Sequence, residues 1–375
     1  MTTAIPTKTI GFVVNPVAGM GGAVGLKGTD GKAILQQAIA LGAKPIAAQR
    51  AETFLAELVT AKPHLKLVVG AGEMGEAEAK KQGYTCKVLG EAKSETTPDD
   101  TQTIAKGIAE SGVDLLVYCG GDGTTRDILK AVDMKIPVLG VPTGVKMHSA
   151  LFAVSPQAAA RVAIQFLWVG LPVREAEVMD VDEQAFREGH LSAELYGYML
   201  SPFEPHLIQG NKMASPMTEN EVENQAAIAV YIIEEMLPGT IYIVGPGTTT
   251  RTIGDLLDQK KTLLGVDLFL DKKIIAKDVN EKQIVELTKG RPAKIVVTPI
   301  GGQGFIFGRG NQQISSRVIR QVGLDNIVVI ATKSKLDKLK SLRVDTGDSQ
   351  LDCEFKDRGI TVTVDYKTTQ ELTVE

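Results

Sequence analysis

Between residues 8 and 141, short β-branched runs alternate with segments of helical periodicity, and this alternation limits the possible folds more than any other feature of the chain. Parallel strands need a long crossover between them, so a repeating strand–helix pattern predicts a parallel sheet with helices on both faces. The predicted strands are residues 8–14, 44–48, 65–69, 85–89, 115–119 and 137–141, and the predicted helices are residues 33–41, 51–61 and 101–111. The fold class is therefore predicted as α/β, with a doubly wound parallel sheet whose strand carboxyl ends form the ligand crevice.

The second half of the chain has a different pattern. Longer predicted strands at residues 175–181 and 193–200 have no helix between them, and residues 341–374 read as strands alone, whereas strand–helix alternation returns at about 217–335. A chain of 375 residues also exceeds the size at which a single core stops growing. We predict an α/β domain over residues 1–170 and a β-rich, sandwich-like domain over residues 171–375, with an α/β insertion at about 217–335.

Composition and charge exclude several classes of protein. The formal net charge is -4 and the Lys and Arg residues are scattered, so a nucleic acid partner is not expected. No apolar run approaches the roughly 20 residues that span a bilayer, and no basic-then-apolar leader is present, so we expect no membrane partner and a cytoplasmic location. The three cysteines and four histidines lack the spacing of a disulfide framework or a metal site, and no protein-held metal is assigned.

The junction after the strand at residues 115–119 carries the strongest functional signal. It reads Gly120-Gly121-Asp122-Gly123-Thr124 and leads directly into a predicted helix. Glycines let main-chain N–H groups approach an anion, and the positive end of the helix points to the same place, so the junction predicts a phosphate site. The carboxylate of Asp122 would repel a phosphate unless it serves a hydroxyl or a metal ion. Asp122 is therefore the candidate catalytic residue.

Two further turns at strand ends suit the same ligand. The first strand ends in a glycine-rich turn, and the last predicted strand of the sheet ends in a turn with a cation and an imidazole. We expect Lys146 to neutralise a phosphate, while His148 either hydrogen-bonds a sugar or caps a helix. The candidate nucleotide and phosphate residues of these turns are Asn15, Gly19, Gly21, Gly22, Thr143, Gly144, Lys146 and His148.

A third glycine turn lies in the second half, between a predicted strand at residues 241–244 and a predicted helix at 249–258. It resembles the glycine-threonine turn of sugar-phosphate isomerases, and it either holds a phosphate or simply caps the helix. A polar cluster flanked by glycines follows at residues 309–312 and either contacts the substrate, which is the favoured interpretation, or forms a hydrogen-bonded loop. The candidate residues of this second phosphate or substrate site are Gly245, Gly247, Thr248, Thr249, Arg251, Arg309, Asn311 and Gln312.

The run from Gly70 to Gly75 has the spelling of a dinucleotide fingerprint. It follows the third predicted strand instead of the first, and Glu73 would place an acid against a pyrophosphate. We interpret it as an ordinary glycine turn.

The glycine-aspartate junction after a buried strand resembles the signature of the superfamily that joins NAD kinases, diacylglycerol and sphingosine kinases and phosphofructokinases. Asn15-Pro16 with Gly19 resembles its first-strand turn, and residues 137–141, 144–150, 245–250 and 301–313 are similar to the ATP- or polyphosphate-dependent NAD kinase-like branch. The segment Pro142-Thr143-Gly144-Val145-Lys146 departs from the Gly-Thr-Gly-Asn-Asp of lipid kinases. NAD kinases usually show an Asn-Glu pair that holds the dinucleotide. This chain has Asn220-Glu221 and Asn280-Glu281, but both stand at predicted helix starts, where Asn is a common cap, and neither is assigned that role.

The resemblance implies a kinase-type enzyme that transfers a phosphoryl group from ATP or polyphosphate, with Mg²⁺, to the adenosine 2′-hydroxyl of NAD. It also implies small-molecule partners and a homo-oligomer. Two alternatives remain open at this stage: a kinase of a sugar or polyol, and a non-catalytic sensor of nucleotides or sugar phosphates.

Overall fold

The computed structural model describes residues 5–26, 32–144, 147–181, 193–204, 207–208, 219–300 and 304–375. They form two compact units, which are described separately. The first unit includes the described residues of 1–20, 28–183 and 191–211, and the second includes those of 21–27 and 212–375. The strand pair at residues 173–202 thus packs with the first unit, whereas the sequence analysis places it beyond a boundary at residue 170.

The first unit is built on a five-stranded, all-parallel sheet of order β3-β2-β1-β4-β5. Its strands are β1 (Lys8–Val14), β2 (Leu65–Gly70), β3 (Cys86–Leu89), β4 (Leu115–Gly120) and β5 (Val138–Pro142), and an antiparallel pair, β6 (Val173–Val181) and β7 (Ala193–Pro202), follows. Its helices are α1 (Lys32–Ala40), α2 (Ala47–Glu57), α3 (Glu76–Lys81), α4 (Pro98–Glu110), α5 (Asp122–Val132) and α6 (Pro156–Ile164), with a π-helical turn at Gln165–Val169 and short 3₁₀ turns at Val59–His64 and Gly72–Met74. The doubly wound parallel sheet predicted from the alternation is confirmed.

Helices cover both faces of this sheet. On one face α2 and α6 bury Phe54, Leu55 and Ala159 against alternate residues of β1 and β4. On the other face α4 and α5 bury Ile108 and Ile128 together with side chains of β6 and β7. The chain order reverses between β1 and β4, which is where the ligand crevice of such a sheet is expected.

The strand predicted at residues 44–48 is wrong. These residues form a loop and the first turn of α2. The buried residues of this helix, Ala47, Ala51, Phe54 and Leu55, follow the i, i+4, i+7, i+8 spacing of a helix face. The helical spacing extends over the whole of α2, whereas the β-like pattern covers only five residues at its start. The segment therefore folds as a helix.

The second unit contains a seven-stranded mixed sheet of order β10-β9-β8-β11-β13-β15-β16. Its central strands β8, β11, β13 and β15 are parallel and its edge strands are antiparallel. The strands of this unit are β8 (Ile241–Val244), β9 (Asp267–Leu270), β10 (Lys273–Ala276), β11 (Ala293–Val297), β12 (Phe305–Phe307), β13 (Ile327–Ile330), β14 (Arg343–Val344), β15 (Ile360–Asp365) and β16 (Thr368–Leu372). Its helices are α7 (Glu219–Glu234), α8 (Thr248–Leu256), α9 (Glu281–Thr288), α10 (Ser316–Val322), α11 (Lys333–Leu336) and α12 (Ser349–Arg358), with a 3₁₀ turn at Leu324–Asn326.

The α/β segment predicted at about 217–335 is present, and β15 and β16 from the chain end extend the same sheet. The closing stretch is not made of strands alone, because α12 interrupts it. Asp348 caps this helix by accepting a hydrogen bond from the N–H of Leu351, and Leu351 and Phe355 bury its apolar side. No helix in the described ranges is both long and apolar enough to cross a membrane.

A buried carboxyl group in α3 makes the stability of the first unit depend on pH. Glu78 is 4% exposed, and its Oε2 has no hydrogen-bond partner within the described chain. Burial, with smaller effects of Glu52 and Glu73, raises the pKa of Glu78 to about 7. An acid with a raised folded-state pKa loses stability as pH rises from its unfolded value, near 4.5, through 7.

We therefore expect Glu78→Gln to be more stable than the parent protein at pH 8, by up to about 3 kcal/mol, and to lose this advantage at pH 5. Urea unfolding at both pH values measures the difference. Glu76→Gln is the matched control, because hydrogen bonds from Lys80 and from the N–H of Gly72 lower the pKa of Glu76. This control should show no gain at pH 8. A Glu78→Gln advantage that is equal at both pH values would contradict the assignment.

Candidate functional site

The carboxyl ends of β1 and β4 bring the first two predicted turns together. The side-chain amide of Asn15 donates through Nδ2 to Thr124 Oγ1 at 2.9 Å, and its main-chain N–H donates to the carbonyl of Cys119 at 3.0 Å. The Oδ1 atom of Asn15 accepts from the N–H of Val17 at 3.2 Å, which closes the turn. These contacts join the first-strand turn to the glycine-aspartate junction at the switch point of the sheet.

The glycine junction allows a tight passage from β4 into α5. A Cβ atom on Gly120 would lie 2.4 Å from Cβ of Thr124, so only glycine fits there without a shift. Gly121 is the N-cap of α5 and has no side chain with which to cap it. The N-terminal N–H groups of this eleven-residue helix therefore have no side-chain cap at the switch point of the sheet, which is the arrangement that binds phosphate.

Asp122, the first residue of α5, is 4% exposed and is held by the segment after β5. Its Oδ2 accepts from the N–H of His148 at 2.6 Å, and its Oδ1 accepts from the N–H of Ser149 at 3.0 Å and from Ser149 Oγ at 2.7 Å. The carboxylate is thus fixed in orientation at the start of the helix. His148 contributes its main chain to this contact.

Ser149 connects this carboxylate to β6. Its Oγ lies 3.0 Å from the carbonyl of Met179 and accepts from the N–H of Met179 at 3.0 Å. A hydroxyl has a single proton, so Ser149 donates either to Asp122 or to the Met179 carbonyl. Sequence reasoning missed Ser149, because it lies 27 positions from Asp122 in the sequence and only the fold brings the two residues into contact.

A second close approach lies between the first turn and the end of β5. Gly19 has φ +80°, and a Cβ atom there would lie 1.9 Å from the carbonyl oxygen of Thr143. The N–H of Thr143 donates to the carbonyl of Gly120 at 3.1 Å, and its buried Oγ1 has no partner in the described part of the chain. Asn15, Gly19, Gly120, Thr124 and Thr143 therefore share one end of the sheet. Lys146 lies outside the described residues.

Gly21 and Gly22 belong to the second unit, unlike the rest of their turn. The carbonyl of Gly21 accepts from the N–H of Leu26 at 2.9 Å, and that of Gly22 accepts from the N–H of Gly25 at 3.2 Å. Their phosphate role stays a prediction.

The Gly245 turn of the second unit has the predicted strand, turn and helix. Gly247 has φ +127° and is the N-cap of α8, and Thr250 Oγ1 lies 2.8 Å from the Gly245 carbonyl and 3.0 Å from that of Gly247. Thr249 is fully buried. Arg251 lies 3.7 Å from Asp255 on an exposed part of the helix.

Arg309 and Asn311 of the polar cluster at residues 309–312 make their contacts with residues of the second unit. Arg309 is 3% exposed, pairs with Asp345 at 3.4 Å and lies over the ring of Phe305 at 4.8 Å. Asn311 donates to the Ile306 carbonyl at 2.8 Å and accepts from the N–H of Gly308 at 3.1 Å. Gln312 keeps a buried Oε1 that has no partner in the described chain. The contacts of Arg309 and Asn311 shape the loop, and substrate contact by this cluster stays a prediction.

The fingerprint-like run at residues 70–75 ends in a 3₁₀ turn. The carboxylate of Glu76 accepts from the N–H of Gly72 at 2.9 Å and pairs with Lys80. An acid of the chain thus occupies the N–H group that a pyrophosphate would need, which agrees with the interpretation as an ordinary glycine turn.

The two Asn-Glu pairs differ in the structure. Asn280 caps α9, accepting from the N–H of Gln283 in a reciprocal capping box. Glu221 is instead 7% exposed and accepts hydrogen bonds from Ser334 Oγ and from Thr332 Oγ1, the latter at 2.7 Å. Burial raises the pKa of Glu221, but these bonds, one from Gln225 and the charge of Lys335 lower it by more.

Two family models match this sequence. That of the ATP-NAD kinase N-terminal domain matches residues 10–168, and that of the ATP-NAD kinase C-terminal domain matches residues 240–372. The first match contains both Asn15 and the glycine-aspartate junction. No curated protein matched the sequence.

Similar solved structures include a provisionally assigned diacylglycerol kinase from Bacillus anthracis str. Sterne, with 17% identity over 48% of each chain and a TM-score of 0.26. Another diacylglycerol kinase structure from that organism has 17% identity over 47% of this chain and 46% of its own, with a TM-score of 0.24. This chain thus spans about half the length of these two proteins. A galactofuranose binding protein aligns over 98% of this chain and 94% of its own, at 12% identity and a TM-score of 0.23.

Proposed function

This chain belongs to the ATP-NAD kinase family, and from that premise we propose that it transfers a phosphoryl group from ATP or polyphosphate to the adenosine 2′-hydroxyl of NAD, giving NADP. The observation that supports this most is the position of Asp122, whose buried carboxylate stands beside uncapped helix N–H groups at the switch point of the sheet. A site that only held phosphate would have no use for an acid there.

In the proposed reaction the first turn of α5 binds the phosphates through its N–H groups, with Asn15 and Thr124 fixing the turn beside it. Phosphoryl transfer depends mainly on positioning and on neutralising charge. The 2′-oxygen forms a bond to the transferred phosphorus while the bond from that phosphorus to the bridging oxygen of the donor breaks. ADP, or a shortened polyphosphate, leaves with the electron pair of that bond.

Asp122 accepts the proton of the attacking hydroxyl and later passes it to solvent. The double partnership of Ser149 supports this role. When Ser149 Oγ donates to the Met179 carbonyl, 3.0 Å away, Oδ1 of Asp122 loses one donor and can accept from the substrate hydroxyl. The main-chain N–H groups of His148 and Ser149 keep the carboxylate oriented throughout.

In the proposed reaction Mg²⁺ would bind together with the phosphoryl donor. No group of three or more His, Cys, Asp or Glu side chains is arranged as a metal site in the ranges that the structure describes. Mg²⁺ commonly keeps substrate phosphates and water among its ligands, so the phosphates of the donor would hold it. The metal would supply neutralisation of the charge on the transferred phosphoryl group.

The experiment is to incubate purified protein with Mg²⁺, NAD and either ATP or polyphosphate, and to read NADP with an NADP-specific dehydrogenase. Parallel reactions replace NAD with sugars and polyols and follow consumption of the donor. We expect NADP with at least one donor. Consumption of the donor only with a sugar or polyol would contradict NAD as the acceptor. Ligand-induced thermal stabilisation without any consumption would contradict catalysis altogether.

A further inference from the structure

The second unit brings together a helix start, a buried hydroxyl and a lysine at the carboxyl ends of β8, β11 and β13. These strands are parallel neighbours, so the segments that follow them lie at one edge of the sheet. The turn after β8 begins α8, Thr298 follows β11, and Thr332 with α11 follows β13. Ligands of such sheets bind at this edge.

Thr298 packs closely against the main chain at the start of α8. Gly247 is in a conformation that favours glycine, and a Cβ atom there would lie 2.6 Å from Cγ2 of Thr298. Thr298 Oγ1 in turn accepts from Nζ of Lys335 at 3.2 Å. The contacts from Gly247 to Thr298 and from Thr298 to Lys335 therefore bring the ammonium group near the positive end of the helix.

One polar atom in the first turn of α8 has no partner. Thr249 is 0% exposed, and its Oγ1 makes no hydrogen bond within the described part of the chain. A buried hydroxyl without a hydrogen-bond partner destabilises the folded chain. A ligand that supplies an acceptor would remove that destabilisation. The neighbouring Thr250 hydroxyl is already bonded to main-chain carbonyls.

Lys335 is half-buried, and burial lowers the pKa of its ammonium group to about 8, while the charge of Glu221 opposes that shift. Glu221 stands at the start of α7, and Gln225 on the next turn contacts both Glu221 and Thr252 of α8. The two helix starts thus lie side by side. An anion beside Lys335 would favour its charged form.

We propose that the start of α8, the hydroxyl of Thr249 and the ammonium of Lys335 form a binding site for the terminal phosphate of a small phosphate ester. Main-chain N–H groups of α8 and the Thr249 hydroxyl donate to the phosphate oxygens, and Lys335 balances their charge. This inference does not rest on the proposed NAD phosphorylation, since it concerns one unit and a different set of residues.

The test is isothermal titration of the full chain with inorganic phosphate, ribose 5-phosphate and AMP. Ribose 5-phosphate and AMP distinguish a sugar phosphate from a nucleotide as the source of the phosphate. We expect Lys335→Met to weaken binding of the best probe by tenfold or more and Thr249→Val to weaken it several-fold. Lys338→Met removes the same charge from an exposed position nearby and should stay within twofold of the parent protein.

A pH series gives a readout that a purely structural lysine would not change. Phosphate esters are already dianionic at pH 7, so their charge does not change between pH 7 and pH 9. We expect binding to the parent protein to weaken over this range because Lys335 loses its ammonium proton. Lys335→Met should not show this decrease. Circular dichroism checks that each variant folds. If Lys335→Met does not fold, the affinity of Thr249→Val for the probe decides the test. Absence of binding for all three probes, or binding unchanged in both variants, would overturn the proposal.

Discussion

Replacing Asp122 by asparagine is expected to lower the turnover of NAD phosphorylation by roughly 10² to 10⁴. The amide cannot accept the proton of the attacking hydroxyl. In the parent protein both carboxylate oxygens accept from main-chain N–H groups, those of His148 and Ser149. The side-chain NH₂ of asparagine would replace one of these oxygens and place a donor against a donor. We therefore expect a loss of stability of about 1–3 kcal/mol beside the loss of turnover. Steady-state turnover and urea unfolding of the same sample separate the two effects.

Asp127→Asn is the matched control for this variant. Asp127 lies on the same helix, and its carboxylate accepts from the side-chain amide of Gln102 at 3.0 Å. This control removes an acid from α5 at a position where the carboxylate is bonded to Gln102 of α4. Its turnover should stay within a few-fold of the parent protein. Full turnover in Asp122→Asn would remove the catalytic role of that carboxylate.

Gly19→Ala is expected to destabilise the first unit by roughly 2–5 kcal/mol and to weaken binding of the phosphoryl donor. The left-handed conformation of Gly19 costs a non-glycine residue about 1–2 kcal/mol. The new Cβ would also meet the carbonyl of Thr143 at 1.9 Å, and such overpacking typically costs about 1–3 kcal/mol. Relief of the contact must move one of the two turns that flank the glycine-aspartate junction. Urea unfolding and MgATP titration measure both effects.

Gly42→Ala separates the two causes. Gly42 has φ +85°, close to that of Gly19, but a Cβ atom there would have no neighbour within 4 Å. Its loss of stability should reflect backbone conformation alone, and its affinity for MgATP should not change. Equal losses in the two variants would show that the contact with Thr143 has no energetic importance.

The sequence predicted the architecture of the first unit because its strands are short, β-branched and separated by long helical segments. The same pattern put Asn15 and Thr124 at carboxyl ends of strands in one sheet, without the strand order, and the structure adds that the two turns meet through a hydrogen bond. The false strand at residues 44–48 shows the limit of a five-residue window. The hydrophobic period of α2 is only visible over two or more turns.

The partners of Asp122 could not be predicted, because hydrogen bonds across 26 and 27 positions depend on how β5 and its following segment return over α5. The same is true of Lys335, which reads in the sequence as one of several scattered lysines. Its neighbours Thr298 and Glu221 come from separate elements. A helix start with several threonines was visible at residues 248–250, but the cation beside it was not.

Transfer of a phosphoryl group to the 2′-hydroxyl of NAD can be observed directly by phosphorus NMR of a reaction that contains the protein, Mg²⁺, ATP and NAD. We expect a new phosphomonoester resonance that coincides with authentic NADP and grows in step with ADP. ADP and free phosphate without that resonance, or no change with either ATP or polyphosphate as donor, would contradict that transfer.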